Sequence, residues 1–131
     1  MRQTAAAIAV IDDDASVRRA LQRLLRAAGF AVETFATARE FLDADQWAQT
    51  ACLVLDIHLP GMSGFELQEH LTVSGAPIPI VFITAHDDTE MRERASRAGA
   101  VGYLRKPFDQ GTLIEAIARA IGQDTSEQGS T

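Results

Sequence analysis

Cysteine, basic charge and long apolar runs are all scarce in this 131-residue chain, and each scarcity closes off a class of protein. The single cysteine, Cys52, has no partner for an internal disulfide, which favours a reducing compartment; inside "ACLVLD" it reads as a small buried hydrophobe. No segment reaches the ~20 apolar residues of a membrane span. The opening "MRQTAAAIAVIDDD" has one early cation, a short apolar run and then acid, unlike a secretory signal. A cytoplasmic, soluble protein with no membrane partner is expected. Cations are the minority charge, 12 Lys and Arg against 18 Asp and Glu for a net charge of −6, which disfavours direct binding to nucleic acid. What remains is one domain of ordinary size, long enough to bury about two thirds of its unfolded surface without a metal or disulfide staple.

Short apolar runs recur along the chain: "AIAVI" (7–11), "AVETF" (31–35), "CLVL" (52–55), "IVFI" (80–83) and "AVGYL" (100–104). Helical periodicity fills the gaps. Val17, Leu21, Leu24, Leu25 and Ala28 form one helix face that stops at Gly29. Thr37 with Glu40, and Ser63 with Glu66, fit capping boxes that open the second and third helices. A fourth helix, Asp88 to Ala98, carries only the thin stripe Met91, Ala95 and Ala98, which predicts a movable element. The fifth opens near Asp109 and buries Leu113, Ala116, Ile117, Ala120 and Ile121. Strands alternating with helices predict a doubly wound five-stranded parallel sheet, an α/β fold whose strands are covered on both faces. The folded unit is expected over residues 1–121. Residues 122–131, "GQDTSEQGST", have no apolar side chain and read as a polar tail or the start of a linker.

Ligands of such sheets sit at the carboxyl ends of the strands, so the residues that follow each strand matter most. They are Asp12 and Asp13 after the first, Asp56 after the third, Thr84 after the fourth and Lys106 after the fifth. The abrupt run Asp12-Asp13-Asp14 is either solvated or built around a cation. Carboxylates brought together from two strand ends raise one another's proton affinity unless a cation lies between them, and an all-oxygen shell suits a hard ion such as Mg²⁺ or Mn²⁺. Mg²⁺ in turn completes its shell with phosphate oxygens. A carboxylate can be the nucleophile that yields an acyl phosphate, with a hydroxyl and a lysine stabilising the transferred oxygens.

The motifs "VIDDD", "LVLDIHLPGMSG", "FITAH" and "YLRKPF", in that order and separated by helices, resemble the receiver domain of two-component response regulators, over residues from about 5 to 121. The resemblance implies a flavodoxin-like (βα)5 fold with strand order 2-1-3-4-5. It implies that Asp56 accepts the phosphoryl group; that Asp13 and Asp56 bind Mg²⁺ directly, Asp12 largely through water, and His58 through its backbone carbonyl; and that Thr84 and Lys106 hold the phosphoryl group. Tyr103 matches the switch aromatic, and a cis bond is implied before Pro107. The expected partner is a sensor histidine kinase or phosphotransfer protein. The expected output is a changed helix 4 and strand 5 surface that controls a partner or a phosphorylation-dependent homodimer. "FITAH" and "RKPF" are similar to receivers of DNA-binding regulators of the nitrogen-fixation class, so an output domain belongs to that expectation.

Other roles follow from single residues. Asp14 reads as the N-cap of the first helix. His58 and His86, two residues after Asp56 and Thr84, border the phosphoryl site and would modulate it, or are plain exposed loop residues; no His-x-x-His or cysteine spacing suggests zinc. Trp47 is assigned only packing. An alternative is a haloacid-dehalogenase-type aspartyl-phosphate phosphatase, but "DIH" places His58 where that family has its second aspartate. Another is a receiver-like adaptor that works without phosphorylation. Beyond self-phosphorylation and self-dephosphorylation, no enzyme is expected.

Overall fold

The structure, a computed structural model, describes residues 7–44, 47–86 and 88–122. Within them β1 (Ala7–Ile11), α1 (Ala15–Ala27), β2 (Ala31–Phe35), α2 (Ala38–Asp43), β3 (Cys52–Asp56), α3 (Gly64–Val73), β4 (Ile80–Thr84), α4 (Thr89–Arg97), β5 (Gly102–Arg105) and α5 (Gln110–Ala120) alternate, with a 3₁₀ turn at Trp47–Gln49. Every strand pairing is parallel and the order is β2-β1-β3-β4-β5. This is the flavodoxin-like order that the motifs implied. The chain leaves β1 for β2 on one side and returns to β3 on the other. A crevice therefore opens between the carboxyl ends of β1 and β3.

Period-two alternation sorts the strand side chains into two cores. Ala9, Ile11, Leu53, Leu55 and Phe82 face the layer that contains Phe41, Phe65, Leu67, Leu71 and Ala95. Ile8, Val10, Val54, Val81 and Ile83 face Leu21, Leu25, Leu113 and Ile117 from α1 and α5. Two of the three interior strands, β3 and β4, are buried at every position, which is why their sequences read as unbroken apolar runs up to the terminal Asp56 and Thr84. Burying a side chain such as Phe82 or Leu55 contributes roughly 1.5–3 kcal/mol.

The helix starts follow the side chains expected to cap them. Ser63 and Glu66 form a reciprocal capping box. Thr37 caps α2, but the Glu40 carboxylate accepts from the Ala36 N–H, one residue before the cap, so the box there is not closed on the Thr37 N–H. Ala28 is an exposed C-cap rather than part of the apolar face of α1, and Ala120 and Ile121 are only half-buried. The fifth strand begins at Gly102 and not at Ala100. The Ala100 N–H still bonds to the Ala95 carbonyl, and Gly99 at φ 84° closes α4, so Ala100 belongs to the helix end. Trp47 packs against the first core, donates to the Leu42 carbonyl and meets the His70 ring edge-on. The polar stretch 123–131 lies outside the described residues.

Candidate functional site

Strand termini place the key side chains. Asp56 and Thr84 are the last residues of β3 and β4, one position beyond the apolar runs, and Asp12 and Lys106 directly follow β1 and β5. Asp12 is fully buried and Asp56 nearly so, while Asp13 is exposed. One carboxylate oxygen from each of Asp12, Asp13 and Asp56 lies within 4.8 Å of the others. The Lys106 ammonium reaches into the group, 2.7 Å from Asp12 Oδ2 and 3.5 Å from Asp56 Oδ2. The other oxygen of Asp12 accepts from the Asp14 N–H at 2.9 Å, and Asp56 Oδ1 accepts from the His58 N–H at 3.1 Å. Asp14 turns away to cap α1, accepting from the Ser16 and Val17 N–H groups.

The charges are arranged to favour a cation. Burial pushes the Asp56 carboxyl above its ordinary range, and the charge of Asp12 pushes the same way; Lys106 offsets only part of this. For Lys106 burial opposes the charge, yet the Asp12 and Asp56 carboxylates outweigh it and leave the ammonium harder to deprotonate than usual. The backbone N–H groups of Ser16 and Val17 hold Asp14 below its ordinary value, as suits a helix cap. Cys52, in the sheet interior, is pushed up to about 12 by burial and is an unreactive thiol.

Thr84 is buried, and its hydroxyl is engaged within its own loop: it accepts from the His86 N–H at 3.0 Å and donates to the His86 carbonyl at 3.2 Å. Tyr103 packs its ring against the first core, with the Arg92 guanidinium 4.6 Å above it. His58 and His86 are exposed, with ring centres 5.4 Å apart in an edge-to-face pair. The Lys106–Pro107 bond is cis, as the resemblance implied.

A family model for the response regulator receiver domain matches residues 8–118. The chain belongs to this family. Among the relatives of this receiver domain, Nodulation protein W of Bradyrhizobium diazoefficiens is 44% identical over 92% of the chain and 53% of its own length. Transcriptional regulatory protein FixJ of Azorhizobium caulinodans is 39% identical over 92% and 56%. The response regulator StyR is 50% identical and superimposes with a TM-score of 0.83, covering 93% of this chain and 62% of that one. The receiver domain thus spans about half the length of the curated relatives it matches.

The family typically binds Mg²⁺ at an acidic pocket, and the oxygen-only cluster of Asp12, Asp13 and Asp56 fits a hard cation. Three contacts of this receiver domain were not anticipated from its sequence. Arg18 Nη1 donates to the Asp12 carbonyl at 2.7 Å and braces the acidic turn from the first turn of α1. Arg94 lies over the Phe65 ring at 4.3 Å and Arg92 over Tyr103, and together they tie α4 to its neighbours. Only the position of Arg18, six residues after Asp12 and thus one helical turn in, could have pointed to any of them. No helix among the described residues is long and apolar enough to cross a membrane.

Proposed function

We propose that this receiver is a phosphorylation-controlled switch working in the cytoplasm, in which Asp56 accepts a phosphoryl group from a sensor histidine kinase or phosphotransfer protein. The observation that carries the reading is the pairing of one ammonium, Lys106, with two buried carboxylates from different strands, Asp12 and Asp56. A carboxylate whose proton affinity is raised by burial and by a like charge is a poised nucleophile once a cation compensates it. Asp12, Asp13 and Asp56, with the His58 carbonyl, would hold Mg²⁺, which when bound neutralises the charge of the transferred oxygens. An Asp56 oxygen attacks phosphorus as the donor's P–N bond breaks, and the leaving imidazole takes up a proton. Lys106, already aimed at Asp56 Oδ2, pairs with the incoming phosphoryl oxygens. The Thr84 hydroxyl gives up its bond to the His86 carbonyl to donate to them, and this loosens the loop that leads into α4. Tyr103 responds on β5.

Residues 1–121 make up the switching unit in this reading, with 122–131 a polar tail or linker. Because relatives such as FixJ are named transcriptional regulators and extend well beyond the matched region, control of a DNA-binding output or of a homodimer is the proposed consequence. Incubating the chain with acetyl phosphate and Mg²⁺ tests the acceptor. Intact mass should rise by one phosphoryl group in the wild type and not in Asp56→Asn; equal labelling of both would reject it.

A further inference from the structure

Two exposed histidines flank the acidic cluster, and their side chains take no part in the chemistry above. His58 follows β3 and His86 follows β4, so they approach from different loops, and their ring centres are 5.4 Å apart. Both backbones are held by the site itself: the His58 N–H donates to Asp56 Oδ1 and the His86 N–H donates to Thr84 Oγ1. Each backbone is thus anchored while its ring is exposed. The spacing matches a shared ion, since two imidazoles on one tetrahedral metal with metal–nitrogen bonds of about 2.0–2.1 Å have ring centres roughly 5 Å apart. Turning the exposed rings out of edge-to-face contact would aim one nitrogen of each at a common point.

We infer that His58 and His86 form a second cation seat, selective for a borderline d-block ion such as Zn²⁺, and that an ion held there obstructs phosphoryl transfer to Asp56. Donor chemistry separates it from the acidic cluster beneath. Imidazole favours zinc, nickel and copper, whereas carboxylate and carbonyl oxygens favour Mg²⁺. Among the described residues the grouping of three ligand side chains is the acidic one, so water completes the shell of an ion held by the two rings. Such an ion would sit on rings whose backbones are bonded to Asp56 and Thr84, and so would add charge and bulk beside the proposed phosphoacceptor. The obstructing role rests on Asp56 being the phosphoacceptor; the seat itself does not.

Calorimetric titration of Zn²⁺ into the chain, with Mg²⁺ in large excess to fill the acidic cluster, tests the seat. One zinc should bind. His58→Ala and His86→Ala, both at exposed positions whose loss leaves the cores intact, should each weaken binding at least about tenfold, because even outer-shell partners of a metal ligand are worth 10–100-fold. Binding that survives both changes would place the ion among the carboxylates and overturn the proposal, as would loss in only one variant or no binding at all. Imidazole proton resonances of both histidines should shift together in the wild type; movement of one alone counts against a shared ion. Zinc should also slow labelling of Asp56 by acetyl phosphate in the wild type, and His86→Ala should label at its own zinc-free rate whether or not zinc is added. Equal slowing in that variant would remove the obstructing role. Absence of labelling without zinc would instead reject the phosphoacceptor reading, and the obstructing role with it, while the titration still decides the seat.

Discussion

Lys106 has two carboxylates within reach, and the shorter contact is to Asp12, which is completely buried, rather than to Asp56. One cation thus serves two anions, and with Asp13 close by the cluster remains electron-rich. The stability of the metal-free protein should record this imbalance. Asp56 takes a raised pKa in the folded state from an ordinary value of 3.8, so the folded chain holds that proton more tightly than the unfolded chain does. Its contribution to stability is then fully present below about pH 3.8 and is lost as pH rises through the raised folded value. Urea unfolding followed over pH without divalent ions should show Asp56→Asn more stable than the wild type at neutral pH, with the corresponding fall in stability flattened. Mg²⁺ should bring the wild type up instead, by about 2.7 kcal/mol when present at 100 times its Kd. A variant less stable than the wild type at pH 7 would mean that the Lys106 pairing outweighs burial and the charge of Asp12.

At the scale of elements, α3 and α4 hold their neighbours in opposite ways. The start of α3 is locked to the end of β3: the Gly64 N–H donates to the Ile57 carbonyl at 2.9 Å, and a Cβ at Gly64 would stand 2.8 Å from the Asp56 carbonyl oxygen and 3.0 Å from Ile57 Cα. Those neighbours are backbone and cannot swing aside. Gly64→Ala should therefore cost roughly 1–3 kcal/mol in chemical denaturation, as overpacking does. It should also weaken Mg²⁺ binding, since the shift falls on Asp56; full stability and unchanged Mg²⁺ affinity would show that the loop absorbs the methyl group. By contrast, α4 buries one side chain fully, Ala95, with Met91 half-buried beside it; its other ties include the Gln68 amide bonded to the Ala98 carbonyl and guanidinium groups lying on Tyr103 and Phe65. Cation–π contacts at partly exposed sites contribute about 0.5–1 kcal/mol each, little against the burial that fixes α3 and α5.

Across the whole molecule that uneven packing sets the direction of the proposed switch. A phosphoryl group shifts a conformational equilibrium only by what it gains in one state over the other, in the proposed site from Thr84 and Lys106. In the proposed switch the Thr84 hydroxyl can donate to it only by giving up its O–H···O bond to the His86 carbonyl, so the loop into α4 is the segment expected to loosen first. Hydrogen exchange with and without beryllofluoride, a phosphoryl mimic, should change most over residues 86–103, the span from His86 to Tyr103, with coupling of roughly 1–3 kcal/mol. Changes limited to the strand-end loops that leave 88–105 untouched would refute it.

The sequence by itself determined the sheet, its four crossovers and the residues at the strand ends, because period-two and helical patterns, caps and strand-terminal polar residues are local signals that the chain carries in order. Four spaced motifs added the strand order through family likeness. The start of β5 was misplaced by two residues because Ala100 and Val101 are apolar enough for a strand, whereas the hydrogen bond from Ala100 to Ala95 commits the former to the end of α4. Tertiary structure alone decided that Lys106 sits nearer Asp12 than Asp56, that Arg18 braces the acidic turn, that Arg92 lies on Tyr103, and that His58 meets His86. Each of these depends on the distance and direction between side chains from different elements. That geometry is fixed by how the layers pack, and no periodicity along the chain encodes it.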